Sequence, residues 1–415
     1  MATIRPFRAI RPVADKAAQV AALPYDVLNS EEAREVAKGN PYSFLHVDKA
    51  EIDLDPAVSP YDNRVYEKAN ENLQRLINEE VLIQDEEPCF YIYQLTMQGR
   101  TQSGIVVCTS IDEYTDNTIK KHERTRHEKE QDRIRHVDVC NANTGPIFLT
   151  YRTKETITKL IVNWQENHAP IYQFTADDGV EHVIWKIAES DVVSALVESF
   201  EEIPSLYIAD GHHRSASAVK VGLMRREQYP NYTGEEEFNF FLSVLFPHDE
   251  LSIWDYNRVV KDLNGLSEEQ FLQQISQYFY VEKAGVSPYK PTEPKSFCMY
   301  LDHLWYKLTV KKETFDVHDV VKRLDVSILQ DHLLSQVLQI HDPRADARID
   351  FVGGIRGLEE LERLVNRGDY KVAFALYPTS MEDLLMIADA GEVMPPKSTW
   401  FEPKLRSGLI IHSLE

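Results

Sequence analysis

The sequence predicts a mixed α/β protein, with an α+β arrangement as the alternative. Three observations lead there. The last third alternates apolar runs of strand length with amphipathic stretches of helix length, at 297–300, 326–338, 349–352, 358–365, 371–376 and 381–389. The middle does the same: strand candidates at 146–151, 171–174, 182–187 and 238–246 stand among helix candidates at 154–166 and 191–200. The composition, 43% hydrophobic and 27% charged, is that of a globular chain able to bury both kinds of element.

Taken in order, residues 4–10 read as a first strand and Pro24-Tyr25-Asp26-Val27 as a turn. Asn29-Ser30 starts a helix, with Glu31 and Glu32 where the helix dipole favours acids. Val65, Ala69, Leu73, Leu76 and Ile77 recur at helical spacing within 63–83. Strands at 90–97 and 103–108 flank Gln98-Gly99-Arg100, a hairpin signal. Residues 119–139 are almost wholly charged, and composition alone reads them as a solvated helix laced with ion pairs. Ser267 opens a capping box with Gln270, and the prolines in 287–294 mark a loop.

The chain has 415 residues, room for two or three domains; a division into 1–265 and 266–415 is expected. Its formal charge of −22 argues against nucleic acid as a partner. No apolar run is long enough to span a membrane, and the basic N-terminus lacks the apolar centre of a secretion signal. The four cysteines show no C-x-x-C spacing. A cytoplasmic protein without membrane partners is expected.

The chemistry concentrates at Tyr207–Ala218, YIADGHHRSASA. If 205–209 is a buried strand and a helix starts at His212, Gly211 is the turn between them. The first N–H groups of that helix then point outward and suit an anion such as phosphate. His212, His213 and Arg214 add donors there, and Asp210 could hold Mg²⁺ or orient a histidine. The bland reading is a buried Asp–His pair that caps the helix. His122-Glu123 and His127-Glu128 imitate a zinc-protease helix, but a spacing of five puts the histidines on different faces. His212 and His213, being adjacent, are poor co-ligands for one zinc. Neither G-x-S-x-G, G-x-x-x-x-G-K-[ST] nor G-x-G-x-x-G occurs. Near the C-terminus, MPPKSTWFEPKLRSG carries Lys397, Ser398, Thr399, Lys404 and Arg406 in an otherwise acidic chain. It is read either as a cationic strap over an anionic substrate or as a packed terminal segment with solvated charges.

The run Asp210–Arg214 resembles the signature of ParB/sulfiredoxin-fold kinases that phosphorylate free serine, which also carry an upstream His-Glu pair. Here His122-Glu123 stands in that place, with 124–209 as an insertion. Over its whole length the chain resembles a bacterial family of unknown function. The shared features are P-Y-D-V (24–27), H-E-x-T (122–125), K-E-x-D-R (129–133), A-D-G-H-H-R (209–214) and P-P-K-S-T-W-F (395–401). At a later position, where a histidine before the arginine is expected, this chain has Asn257-Arg258. Sulfiredoxin chemistry needs a cysteine where His212 stands, and ParB proteins bind DNA.

The resemblance implies a ParB/sulfiredoxin-like nucleotide-binding core with insertions, followed by a C-terminal α/β region. It implies transfer of a phosphoryl group from ATP or ADP, with Mg²⁺, to the hydroxyl of free L-serine or a similar metabolite. Glu123 would be the base, and Asp210, His212 and His213 its catalytic partners. Gly211, His213, Arg214, Lys397, Ser398 and Thr399 would bind phosphate. His122, Lys404 and Arg406 would hold the acceptor, and Asp210 the metal. A homodimer is possible. The alternatives are a nucleotide-binding regulator and a phosphoester hydrolase using the same pocket.

Overall fold

The computed structural model describes Met1–Glu415. It divides into two compact units, Met1–Leu251 with Pro403–Glu415, and Ser252–Glu402. Both combine helices with sheets, so the chain is mixed α/β. Most strands nevertheless pair antiparallel, as in the α+β alternative.

In the first unit, nine strands form one sheet. They are β1 (Ile4–Arg5), β2 (Phe90–Met97), β3 (Arg100–Ser110), β4 (Ile119–Lys120), β5 (Ile147–Tyr151), β6 (Tyr172–Thr175), β7 (Glu181–Ile187), β8 (Leu206–Asp210) and β9 (Phe240–Pro247). The order is β4-β8-β5-β9-β3-β2-β7-β6, with β1 also on β3. Only β4 with β8 and β5 with β9 run parallel. The β2–β3 hairpin turns on Gln98 and Gly99, both at positive φ (52° and 79°), which matches the twist of the paired strands. One face of the sheet buries Ile92, Ile105, Leu149, Ile208 and Leu245 in a single core.

The helices named for this unit are α1 (Ser30–Ala37), α2 (Asn63–Asn78), α3 (His127–Cys140), α4 (Glu155–Asn167), α5 (Ser190–Glu201) and α6 (His212–Gln228). α1 begins at Asn29, whose side chain accepts from the Glu31 and Glu32 amides while Glu32 returns a bond to the Asn29 amide. α2 lays Val65, Ala69, Leu73 and Leu76 into a second core with Phe44, Leu45 and Val47.

Two expectations are corrected here. The first strand, expected over 4–10, is split in two. Pro6 has no N–H for a ladder. Ile4–Arg5 joins β3, while Ile10–Pro12 pairs with Leu82–Gln84. The charged segment 119–139 is not one solvated helix. It starts as β4, crosses a loop and becomes α3 only at His127. Glu130, Asp132, Arg133 and His136 are buried. Each is compensated, as buried charge must be. Glu130 pairs with Lys220 and accepts from the Thr125 hydroxyl. Asp132 accepts from the Tyr66 hydroxyl and pairs with Arg133, which lies 4.0 Å from the Tyr25 ring.

α3 packs against α6, and Val221 of α6 shares an apolar cluster with Ile134 and Val137 of α3. The Ser217 hydroxyl bonds the Glu130 carbonyl of α3 at 3.1 Å.

In the second unit, β10 (Tyr256–Val260), β11 (Phe279–Gly285), β12 (Ser296–Leu301), β13 (Leu304–Val310), β14 (Ile349–Gly353) and β15 (Val372–Leu376) form an antiparallel sheet. Its order is β11-β13-β12-β15-β10-β14. The helices named here are α7 (Glu268–Ile275), capped by Ser267 and Gln270 as expected, α8 (Leu358–Asn366) and α9 (Met381–Asp389). α8 sets Leu361 into a core with Val259, Trp305, Val352 and Ala373. Residues 326–338, expected as one helix, are a short helix, Asp325–Leu329, continued by the π turn Gln330–Ser335. No helix is long and apolar enough to cross a membrane.

Gly222 should be intolerant of even a methyl group, because a Cβ there would collide with the Phe238 carbonyl and come 2.7 Å from the Ile111 side chain. Gly222→Ala is expected to lower unfolding stability by about 1–3 kcal/mol despite its better helix propensity. Urea denaturation measures it, and a stabilised variant would contradict this packing.

Candidate functional site

The site is built by one parallel strand pair. Ile119 of β4 lies opposite Leu206 of β8, and Lys120 opposite Tyr207. Continued past the ladder, that register carries His122 and Glu123 alongside Ala209 and Asp210. At the same point β8 slips against β5, between Ile208 and Asp210. Gly211 then adopts φ 96° and ψ 31°, a left-handed conformation that turns the chain directly into α6.

The first backbone bond back into that turn comes from Ser215 to the Gly211 carbonyl. The amides of His212, His213 and Arg214 therefore head the helix without an acceptor within it. The Gly211 N–H is already committed, donating to Asp210 Oδ1 at 2.8 Å. Lys404 Nζ donates to Asp210 Oδ2 at 3.0 Å. Burial alone would raise the Asp210 pKa, but Lys404 and Arg214 hold it well below the usual carboxylate range.

Two buried imidazoles stand beside this carboxylate. His122 and His212 meet edge to face, with ring centres 4.5 Å apart. Neither nitrogen of His122 has a hydrogen-bond partner of normal geometry, and His212 Nε2 has none. Burial pushes His122 down to about 4, although Asp210 opposes the shift. Burial and then the neighbouring His122 push His212 well below its ordinary value. Both rings are thus neutral near pH 7. Glu123, half-exposed, places Oε2 3.7 Å from His212 Nδ1.

The other candidates lie as follows. His213 Nε2 accepts from the Arg126 amide at 2.9 Å, so that nitrogen carries no proton. Burial lowers its pKa, partly offset by Asp26. Arg214 folds back beside Gly211, donates to the Pro146 carbonyl and leaves Nε unpartnered. It also lines a small cavity of about 30 Å³ with Tyr25, Asp48, Arg133, Thr144 and Gly145. Arg406 is buried, paired with Asp178 and donating from Nε to His182 Nε2 at 3.3 Å. Lys397, Ser398 and Thr399 belong to the second unit. There the Lys397 carbonyl accepts from Arg258, and the Ser398 hydroxyl donates to the Pro395 carbonyl at 2.6 Å.

The sequence reading missed two groups. Tyr25, Asp132 and Arg133 were legible as parts of P-Y-D-V and K-E-x-D-R but had no role; the structure gathers them near Arg214. Asp178, His182 and Tyr93, which anchor Arg406, carry no local sequence signal.

A resident metal does not fit. Asp210 has a donor on each oxygen, and no group of three His, Cys, Asp or Glu is placed to hold an ion.

This geometry sets the unpaired amides at the start of α6 beside two neutral imidazoles and an acid. The family model described as "Protein of unknown function (DUF1015)" matches residues 4–327, and the chain belongs to that family. No curated protein matches it. Among solved structures, it is similar to a free serine kinase in complex with AMP, at 13% identity and a TM-score of 0.37. That match covers 74% of this chain and 92% of the kinase. It is similar to a conserved hypothetical protein from Pyrococcus furiosus, at 14% identity and a TM-score of 0.35, covering 74% of this chain and 95% of the other. It is also similar to SbnI with a C-terminal truncation from Staphylococcus aureus, at 11% identity and a TM-score of 0.36, covering 73% of this chain and 85% of the other.

The buried histidines give stability a pH dependence of known sign. His122 has a folded pKa of about 4, below its unfolded value of about 6.5. Below about 6.5 the unfolded state binds the extra proton, so stability is lost as pH falls toward 4. The melting temperature is expected to drop between pH 7 and pH 5, and to drop less steeply in His122→Asn. Identical slopes in calorimetry would mean that His122 is not held neutral.

Proposed function

We propose that the protein transfers a phosphoryl group from ATP or ADP to the hydroxyl of a small metabolite, with free L-serine as the acceptor. The observation that supports this best is the Glu123–His212–His122 cluster, set beside Asp210 at the start of α6. Phosphoryl transfer needs little covalent chemistry; it needs positioning, charge neutralisation and a base. The amides of His212–Arg214 and the helix dipole suit the phosphate. Lys404 and Arg214 supply positive charge beside them.

In this reading Glu123 accepts the proton of the acceptor hydroxyl as its oxygen bonds to phosphorus and the phosphorus–oxygen bond to the nucleotide breaks. His212, neutral, steadies the Glu123 carboxylate through Nδ1. Asp210 holds Lys404 in place and keeps the turn closed through the Gly211 amide.

Glu123→Gln keeps the shape and removes the basic oxygen. Phosphoserine formation from serine and nucleotide is expected to fall by about 10²–10⁴-fold, with nucleotide affinity little changed. Glu128→Gln, at the solvent-exposed start of α3, is the control and should retain activity. Serine-dependent turnover that survives Glu123→Gln removes this base; none in the wild type removes the substrate and favours a nucleotide-binding regulator.

Lys404→Met takes away the first cation that lowers Asp210. A carboxylate freed of that charge protonates at higher pH, so the acid limb of the activity profile should move upward. An unmoved limb would show that Asp210 does not govern it.

A further inference from the structure

We infer that the first unit binds a small organic cation at the end of α6 opposite the Asp210 turn. A cavity of about 690 Å³ opens there, within the roughly 300–1,000 Å³ that small-molecule sites span. Its walls are aromatic. Tyr229, Tyr232 and Phe238 line it, and the Tyr229 and Phe238 rings lie 19° from parallel with centres 6.1 Å apart. Tyr229 is 57% exposed and Tyr232 39%, so folding leaves two large rings partly open to solvent in one cavity. Phe238 and Leu414, also in the lining, belong to a buried apolar cluster with Val221. The seventeen residues of α6 span about 25 Å, so this cavity is separate from the turn at Gly211.

The charge around those rings is negative. Pro230 has no N–H, so it stops α6 and leaves the Arg226 carbonyl without its helical donor. Gln228, Tyr229 and Pro230 line the cavity, so the negative end of the helix dipole opens onto it. The two arginines of the last turn are matched by aspartates, Arg225 by Asp138 at 2.8 Å and Arg226 by Asp112 at 2.6 Å. Arg226 also lies 4.9 Å from the centre of the Tyr232 ring, a cation already set against one aromatic face. Glu235, Glu236, Glu237 and Glu415 bring carboxylates to the lining. Glu236 is taken up by the Thr233 and Gly234 amides, and Glu237 by His412. Glu235 keeps an 84% exposed side chain, 3.9 Å from Arg5. Aromatic faces attract a cation through their negative quadrupole, and carboxylates beside them add to that attraction. An anion would meet the same carboxylates and the same helix end unfavourably. The ligand class is an ammonium or quaternary ammonium group on an apolar body. This inference rests on the cavity alone and is independent of the kinase reading.

The test is isothermal titration of the full chain at low salt with benzyltrimethylammonium chloride and, separately, with sodium phenylmethanesulfonate, an anion of similar shape. The cation is expected to bind and the anion is not. Tyr229→Ala should weaken the cation about fivefold or more, the worth of one cation–π contact. Its melting temperature should stay that of the wild type, because the ring is more than half exposed. Glu235→Gln should weaken the cation severalfold by removing a carboxylate from the lining. Glu123→Gln, at the other end of α6, should bind the cation as the wild type does, so that this inference and the kinase reading fail separately. Four results would each overturn the proposal: no binding of the cation, binding of the sulfonate as tight or tighter, loss of the cation in Glu123→Gln, or cation binding unchanged in Tyr229→Ala, which would make it diffuse attraction to an acidic surface.

Discussion

The first unit's site depends on one carboxylate, Asp210. It ends a buried strand at the point where the ladder with β5 slips, and it faces the positive end of a seventeen-residue helix. Lys404 and Arg214 add further positive charge around it. Without a negative group there, those charges would repel one another in a dry setting. With it, the ammonium of Lys404 is fixed, the Gly211 amide is satisfied and the turn is held. The histidines beside it stay neutral because burial outweighs the attraction of the carboxylate. A compact region therefore holds neutral imidazole, ionised acid and cation together.

A second level of support comes from charge buried in pairs. α3 meets α6 at Ser217, whose hydroxyl bonds the Glu130 carbonyl, and at Val221, which clusters with Ile134 and Val137. Glu130, Asp132 and Arg133 of α3 are taken out of water, and each finds a partner. The result is a rigid wall behind the turn, made of Tyr25, Asp132, Arg133 and Arg214. These belong to three separate sequence motifs, and their common location gives a physical reason for motifs so far apart in the chain.

The last residues close the first unit. The chain leaves it after Leu251 and returns at Pro403. Ser407 exchanges backbone bonds with Ala22, and His412 with its neighbour pairs with Ala142–Asn143. Gly408, at φ 82°, has no room for a side chain against Phe44. Arg406 is fixed by Asp178, His182 and the Tyr93 hydroxyl, and His182 is pushed down to about 3 by burial and by Arg406 itself. Lys404 lies two residues before this anchor, so its reach to Asp210 is set by a buried network.

The sequence by itself determined what is local. Apolar spacing marked α2, Asn29 and Ser267 marked helix starts, Gln98-Gly99 marked the hairpin, and Asp-Gly-His-His-Arg marked a turn into a helix. Such signals are written in neighbouring residues, because capping, turn geometry and periodicity act over a few positions. Pairing across the chain was not written there. That β4 lies parallel to β8, bringing His122 and Glu123 to Asp210, follows from which surfaces bury together. The charged run 119–139 looked solvated because composition records charge and not its partners; only packing supplied Tyr66, Lys220 and Tyr25. For the same reason Arg406 and Arg258 could be read as free cations. The tertiary structure set the carboxylate of Asp178 against the first and only backbone carbonyls against the second, a difference made by packing, which no single stretch of sequence encodes.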